Sequence, residues 1–264
     1  MKNILLFLFF LICIVSYSQE IVIPVKLLSG VKAGTDTFAG TDAFGAQYSI
    51  ADNEFCKQAN GKTVKYKNLS FGDIYKADIQ NPLQIVLFYK EFNAVALLDN
   101  QLTEIIRINF SRLPQPIIAE AASLAAQNRL WIYDITTQQI GLLDINQLSY
   151  KTITPQLNEL LKYYQSDYNY FYWIDITNKC YAVNLFGKVT PLGEVPEHQQ
   201  AQFVSDTSVL IKKDNGLYLY NTVTKEQKQI DIMQKSFDSF YYNEQILSIF
   251  TKKEINHYQI TLPK

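Results

Sequence analysis

The sequence predicts an all-β protein, a six-bladed β-propeller of four-stranded antiparallel blades with an N-terminal strand closing the last blade. Three observations lead there. Apolar segments recur at Gln84 to Lys90, Arg129 to Asp134, Tyr170 to Asp175, Ser208 to Asp214 and Gln245 to Thr251, and their centres at Val86, Trp131, Tyr172, Leu210 and Ser248 stand 45, 41, 38 and 38 residues apart. An earlier copy centred on Gln47 precedes Val86 by 39 residues, and Asp-Ile-Thr at 134–136 returns at 175–177. Each segment is followed by a polar turn and a second run rich in Leu, Val and Tyr, which spells a hairpin. A β-sandwich also has short strands and tight turns, but nothing obliges it to keep one period six times. Blades of about forty residues around a ring do keep it.

Taken in order, the chain begins with Lys2, an apolar run from Ile4 to Val15, and Ser16-Tyr17-Ser18. A basic start, an apolar centre and small residues before the cut make a secretory signal, so residues 1–18 are expected to be removed and 19–264 to form a single propeller domain. An uncleaved anchor is the competing reading, but the run falls short of the roughly 20 residues a bilayer span needs. Lipidation at Cys13 is a third, disfavoured because Leu11-Ile12 offers no small residue before the cysteine. Next, Glu20 to Leu28 is β-rich and belongs to no copy, while the last copy has only three strands, Ser236 to Tyr242, Gln245 to Thr251 and Ile255 to Leu262. The extra segment is therefore predicted to be the outer strand of the final blade, with Pro24 on an edge where its missing donor does no harm. Closure of this kind hides apolar sheet faces that an open ring would expose.

The second copy shows the blade layout best: Asp73 to Gln80, Leu83 to Lys90, Ala94 to Asp99 and Thr103 to Phe110, separated by polar turns. Elsewhere Asp52-Asn53, Thr177-Asn178 and Asp214-Asn215 mark second turns, and Asn60-Gly61, Phe186-Gly187 and Thr222-Val223 mark third turns. Asn-Gly supplies the positive backbone angles of a two-residue hairpin. Ile85 to Tyr89 is apolar on both faces, as a strand sandwiched between two other blades must be. Cys56 and Cys180 fall on third strands of the first and fourth copies, which oppose each other in a six-membered ring. Strand spacing puts them at least roughly 20 Å apart, beyond disulfide reach, so two unbridged, buried structural thiols are expected.

Composition narrows the function. Hydrophobic residues make up 48% and charged residues 19%, which excludes a disordered chain, and the net charge of −1 offers no attraction for nucleic acid. No Gly-x-Ser-x-Gly elbow, zinc spacing, phosphate-cradling loop or calcium loop is present, so no catalytic, cofactor-binding or metal residue is assigned and no cofactor is expected. His198 is read as a loop residue and His257 as an outward residue of the final strand, both structural. Asp42, Asp78, Asp167, Asp206 and Asp238 recur on or near innermost strands, where carboxylates serve as a cation site or a glycosidase pair. Turn and cap chemistry explains them more simply. The run Tyr163 to Trp173 and Phe240-Tyr241-Tyr242 can either stack on sugars or fill the space between blades, and packing is the preferred reading.

The stretches Thr41 to Tyr48, Val86 to Asn93, Leu97 to Asn100, Leu130 to Asp134 and Asn184 to Gly187 resemble a group of exported bacterial β-propeller proteins without an assigned activity. More distantly, the hairpins are similar to NHL, YVTN and quinoprotein-type propeller repeats. The repeated Trp and Gly of the quinoprotein group and the Gly-His and Trp-Asp of WD repeats are missing, so the resemblance implies the architecture and transfers no functional residue. With no catalytic constellation and a secretory signal, the preferred reading is an exported, periplasmic or extracellular, monomeric and non-enzymatic platform that binds a protein or envelope component, with no membrane span after signal cleavage. The alternative is a carbohydrate-binding or carbohydrate-active propeller using aromatic and Asp residues at the channel mouth. Exposed Tyr163, Tyr168 or Tyr170 beside paired carboxylates would favour that alternative; burial of the rings would favour the platform.

Overall fold

A computed structural model describes residues 22–32, 37–42 and 44–263. The signal segment and Cys13 lie outside the described residues. The chain folds into six sheets arranged as a propeller, antiparallel throughout except for one short N-terminal strand. Blade one holds β3 (Thr37–Thr41), β4 (Gln47–Ala51), β5 (Glu54–Ala59) and β6 (Lys62–Lys67); blade two holds β7 (Lys76–Asp78), β8 (Ile85–Tyr89), β9 (Ala94–Leu98) and β10 (Glu104–Asn109). Blade three is β11 (Ala119–Ala125), β12 (Arg129–Asp134), β13 (Gln139–Asp144) and β14 (Ser149–Thr152), and blade four β15 (Leu161–Ser166), β16 (Tyr170–Asp175), β17 (Lys179–Asn184) and β18 (Val189–Glu194). Blade five comprises β19 (Gln200–Ser205), β20 (Ser208–Lys213), β21 (Gly216–Asn221) and β22 (Gln227–Ile230); blade six comprises β23 (Ser239–Asn243), β24 (Ile246–Phe250) and β25 (Glu254–Ile260).

The N-terminal segment closes the ring, but by two strands rather than one. Strand β2 (Val25–Lys32) runs antiparallel to β25 from Val25↔Ile260 to Lys32↔Glu254 and completes blade six. Strand β1 (Val22–Ile23) instead pairs in parallel with β22, giving blade five a fifth strand. Pro24 is the corner: it has no amide hydrogen for either ladder, so the chain changes sheets there. The predicted closure of the last blade by the N-terminal strand is thus borne out by β2, which runs past Leu28 to Lys32, while Val22 and Ile23 pair with blade five; Glu20 and Ile21 lie outside the described residues.

Packing follows the expected geometry. Buried apolar side chains group between successive blades, for example Val86, Phe88, Leu130 and Ile132 between blades two and three, and Trp131, Phe171 and Trp173 between blades three and four. Strands β8 and β9 are buried at every position because both faces meet a neighbouring blade. Asp52, Asn53, Asn60 and Gly61 have positive φ, as their two-residue turns require. Cys56 on β5 and Cys180 on β17 are buried and not bridged, in accord with their places on opposite blades. Among the described residues no helix is long and apolar enough to cross a membrane.

Because every blade is a meander running outward from the channel, first and third turns share one face of the disk. Second turns and blade-to-blade connections share the other. This topology positions the candidate site.

Candidate binding site at the channel and its mouth

The innermost strands enclose a cavity of about 680 Å³ lined by residues of all six blades, among them Lys76, Asp78, Ser123, Tyr163, Gln202 and Tyr241. An innermost strand presents a free edge to this channel, and its backbone groups need partners. Side chains of the preceding blade supply them. Gln165 donates to the Phe203 carbonyl at 3.1 Å and accepts from the Phe203 amide at 3.0 Å. Gln200 does the same for Phe240, and Gln202 for Tyr242. Asp78 accepts from the Leu124 amide at 2.7 Å, and Asn243 donates to the Thr41 carbonyl at 3.1 Å. Sequence reading missed the glutamines because it followed only charged and aromatic types. The signal was there, since Gln200 and Gln202 lie one blade period, 40 residues, before the backbone they cap.

The recurring aspartates divide. Asp42, Asp78, Asp167 and Asp206 sit at the first-turn ends of their inner strands, whereas Asp238 precedes β23 at the opposite end. Asp42 accepts from the amides of Phe44 and Ala46 and from the Tyr48 hydroxyl. Asp78 accepts from Gln80 as well as Leu124, and burial pushes its carboxyl above the ordinary range. Asp167 accepts from the amides of Asn169 and Tyr170 at 2.7 Å. Turn capping, with the Leu124 amide of the next blade for Asp78 and the Tyr48 hydroxyl for Asp42, thus accounts for these three carboxylates before any catalytic role is invoked. Among the described residues no group of three or more His, Cys, Asp or Glu is placed to hold a metal ion.

The tyrosine run also divides. Tyr164 is buried and stacks on Phe171 at 5.6 Å, and Tyr163 packs on Phe203 of the next blade at 6.2 Å. Tyr168 and Tyr170 are exposed at the first turn of blade four, where the Tyr172 hydroxyl lies 3.5 Å from both Asp167 and Asp206. Phe240 is buried, while Tyr241 and Tyr242 are half-buried at the channel wall.

His257 is not outward. It is buried on β25, with Ser248 Oγ 2.8 Å from Nδ1 and Gln47 of blade one 3.4 Å from Nε2. The expectation of an outward ring assumed that one strand face meets solvent, but a third strand in a propeller has a blade on each side. The ring borders a second pocket of about 290 Å³ at the junction of blades six and one, with Asp42, Asn243 and Glu244. His198 does lie in a loop, its Nδ1 2.9 Å from the Pro196 carbonyl oxygen.

Burial lowers the affinity of both imidazoles for a proton. The unfolded chain therefore binds more protons than the native one just below the ordinary histidine value of about 6.5, and stability falls as pH drops through that region. Replacing His257→Gln is expected to flatten this acid dependence between about pH 7 and 5, read from urea midpoints. An unchanged slope would assign the dependence elsewhere.

No protein family matches this chain, and no curated protein matches it either. Solved structures do. The β-propeller domain of Cps50 (Swd1) from Myceliophteria thermophila aligns with a TM-score of 0.60 at 10% identity, over 90% of this chain and 100% of that one. Virginiamycin B lyase from Staphylococcus aureus aligns at 0.57 and 10% identity, over 93% and 97%, and YCF48 bound to D1 peptide at 0.53 and 10%, over 86% and 79%. At such identities the likeness is one of fold, and the resemblance to bacterial β-propeller proteins drawn from the sequence holds at that level: the chain is a six-bladed β-propeller of four-stranded antiparallel blades, the fifth extended by the short β1.

Proposed function

We propose that the protein is an exported, non-enzymatic platform that binds a partner protein across the face carrying its first and third turns. One observation carries this reading. Asp42, Phe44 and Gly45 of blade one repeat the arrangement of Asn184, Phe186 and Gly187 of blade four, on opposite sides of the ring. In each, the side-chain oxygen of the Asx residue accepts from the phenylalanine amide, at 2.9 and 3.0 Å, and the glycine takes φ of +81° or +82°. At Gly187 a β-carbon would meet the Ile153 carbonyl oxygen at 2.2 Å, so only glycine fits. The rings are left 84% and 94% exposed.

Two further turns of this face repeat the device with Asn81 and Leu83, and with Asn221 and Val223, whose apolar residues are 64% and 67% exposed. An apolar side chain held out by a fixed turn loses little freedom when a partner covers it, which is the property of an interface anchor. YCF48, a structural neighbour, was solved bound to a peptide, and that supports a propeller face as a peptide-binding surface. The test is capture of the tagged protein's partners from its own cell envelope, repeated with Phe44→Ser/Phe186→Ser and with Leu69→Ser/Met233→Ser on the opposite face. Burying one Phe contributes about 1.5–3 kcal/mol, so the first pair should weaken binding at least tenfold with unchanged unfolding temperature, and the second pair should not. Equal loss from both pairs, or no loss from either, would overturn the proposal.

A second reading has its own observation, the exposed Tyr168 and Tyr170 beside Asp167 and Asp206. A glycan array on the same preparation tests it. Saccharide binding abolished by Tyr170→Ala would move the function to carbohydrate recognition.

A further inference from the structure

Lys76 is the channel feature that neither turn chemistry nor the platform explains. It lies on β7 of blade two, and its Nζ reaches across to blade four, donating to the Tyr164 carbonyl at 2.6 Å. The amine sits 3.5 Å from the centroid of the Tyr164 ring and 5.6 Å from that of Tyr163. Ion pairs hold other lysines of the chain, but among the described residues no carboxylate comes within ion-pair distance of this one. Lys76 lines the cavity of about 680 Å³ between the inner strands. The cavity wall carries tyrosine rings and glutamine amides together with the carboxylates of Asp42, Asp78, Asp167 and Glu244, of which Asp78 is on the same strand as Lys76.

We propose that Lys76 is a nucleophilic amine of the channel that forms an imine with an aldehyde or ketone, best a planar aromatic one that fits beside Tyr163, Tyr164 and Tyr241. The Nζ lone pair attacks the carbonyl carbon, one nitrogen proton passes to the carbonyl oxygen, and the carbinolamine loses its hydroxyl with the second nitrogen proton as one water to leave a C=N bond. Nothing is oxidised or reduced in these steps. Burial supports the chemistry by lowering the lysine to about 8, against the smaller opposing effect of Asp78. About a tenth of the amine is then neutral at pH 7, against less than about a thousandth for an ordinary lysine. Desolvation is one of the routes by which a lysine becomes a nucleophile at neutral pH.

The experiment uses the folded protein of residues 19–264, pyridoxal at less than one equivalent at pH 7, borohydride to reduce any imine, and peptide mass spectrometry. Lys76 should label on the order of tenfold or more faster than the exposed Lys252 and Lys253, and the preference should vanish in urea. Lys76→Arg keeps a cation and a donor to Tyr164 but cannot form an imine, so its labelling should be confined to surface lysines. A lysine that only ties blade two to blade four would label no faster than Lys252 and Lys253 in the native protein, and that result overturns the proposal. The comparison of native with unfolded wild type stands even if the arginine variant does not fold.

Discussion

Removal of residues 22–32 is expected to abolish the cooperative unfolding transition of the propeller and leave a chain that aggregates on heating. The segment adds little to the core through β2, whose side chains are nearly all exposed. Its contribution is of another kind. It fills the ladder along β25 over seven paired positions and, through β1, covers the outer edge of β22 with Ile23 buried among Leu210, Ile230 and Ile260. At roughly 1 kcal/mol per ladder hydrogen bond and about 2 kcal/mol for one buried isoleucine, several kcal/mol are lost. That is a large part of the 5–15 kcal/mol by which domains are stable. The same deletion bares two sheet edges, which recruit other chains. Because the segment also leads directly into β3 of blade one, it joins the last blades to the first covalently, and without it blade six is held to blade one by a junction rich in polar groups, including Gln47, Asn243, Ser248 and His257. A urea titration of the shortened chain, with and without a synthetic peptide of residues 20–32, checks this. A sharp transition in the shortened chain alone, at the midpoint of the parent, would show that the ring closes without its N-terminal strands.

The blade period was legible because a ring makes each unit solve the same problem. Strands such as β8 and β12 must be apolar on both faces, and the turns between them must reverse in two to four residues, so the spelling recurs. What a one-dimensional pattern could not carry is chord geometry across the ring. Nothing near Lys76 says that its amine meets Tyr164, 88 residues away, and nothing near Gln47 says that it meets His257 at the other end of the chain. The change of sheet at Pro24 was open to reading, since a proline inside an apparent strand demotes it, yet an edge position satisfied that rule too. The two Asx-x-Phe-Gly turns could have been matched by eye. Their exposure could not, because phenylalanine after a turn is more often tucked inward than presented.

Alkaline pH is expected to unfold the protein in a single step between about pH 11 and 12, with tyrosine ionisation and loss of near-ultraviolet dichroism occurring together. Burial raises the hydroxyl pKa of Tyr48, Tyr89, Tyr150, Tyr163, Tyr164 and Tyr172 well above the ordinary value, that of Tyr133 also upward, and that of Tyr241 up to about 12. A raised native value means that these tyrosines contribute their full stability below pH 10, where both states are protonated. Above about pH 10 the unfolded chain sheds protons that the native chain retains, so stability falls with rising pH. At pH 11 each such tyrosine favours the unfolded chain by up to about 1.4 kcal/mol, and five together approach about 7 kcal/mol, comparable with the whole stability of a domain. Lys76 acts in the opposite sense: its lowered native value makes stability rise between about pH 8 and 10.5, one group against many. Tyr133→Phe separates the causes, because its buried hydroxyl finds no hydrogen-bond partner among the described residues. Removing that oxygen should raise stability at pH 7 by about 1 kcal/mol and move the alkaline midpoint upward. A smooth tyrosinate titration centred near pH 10 with dichroism intact would show instead that the rings are open to solvent, and with it the packing of blades through Tyr48, Tyr89 and Tyr164 would have to be redrawn.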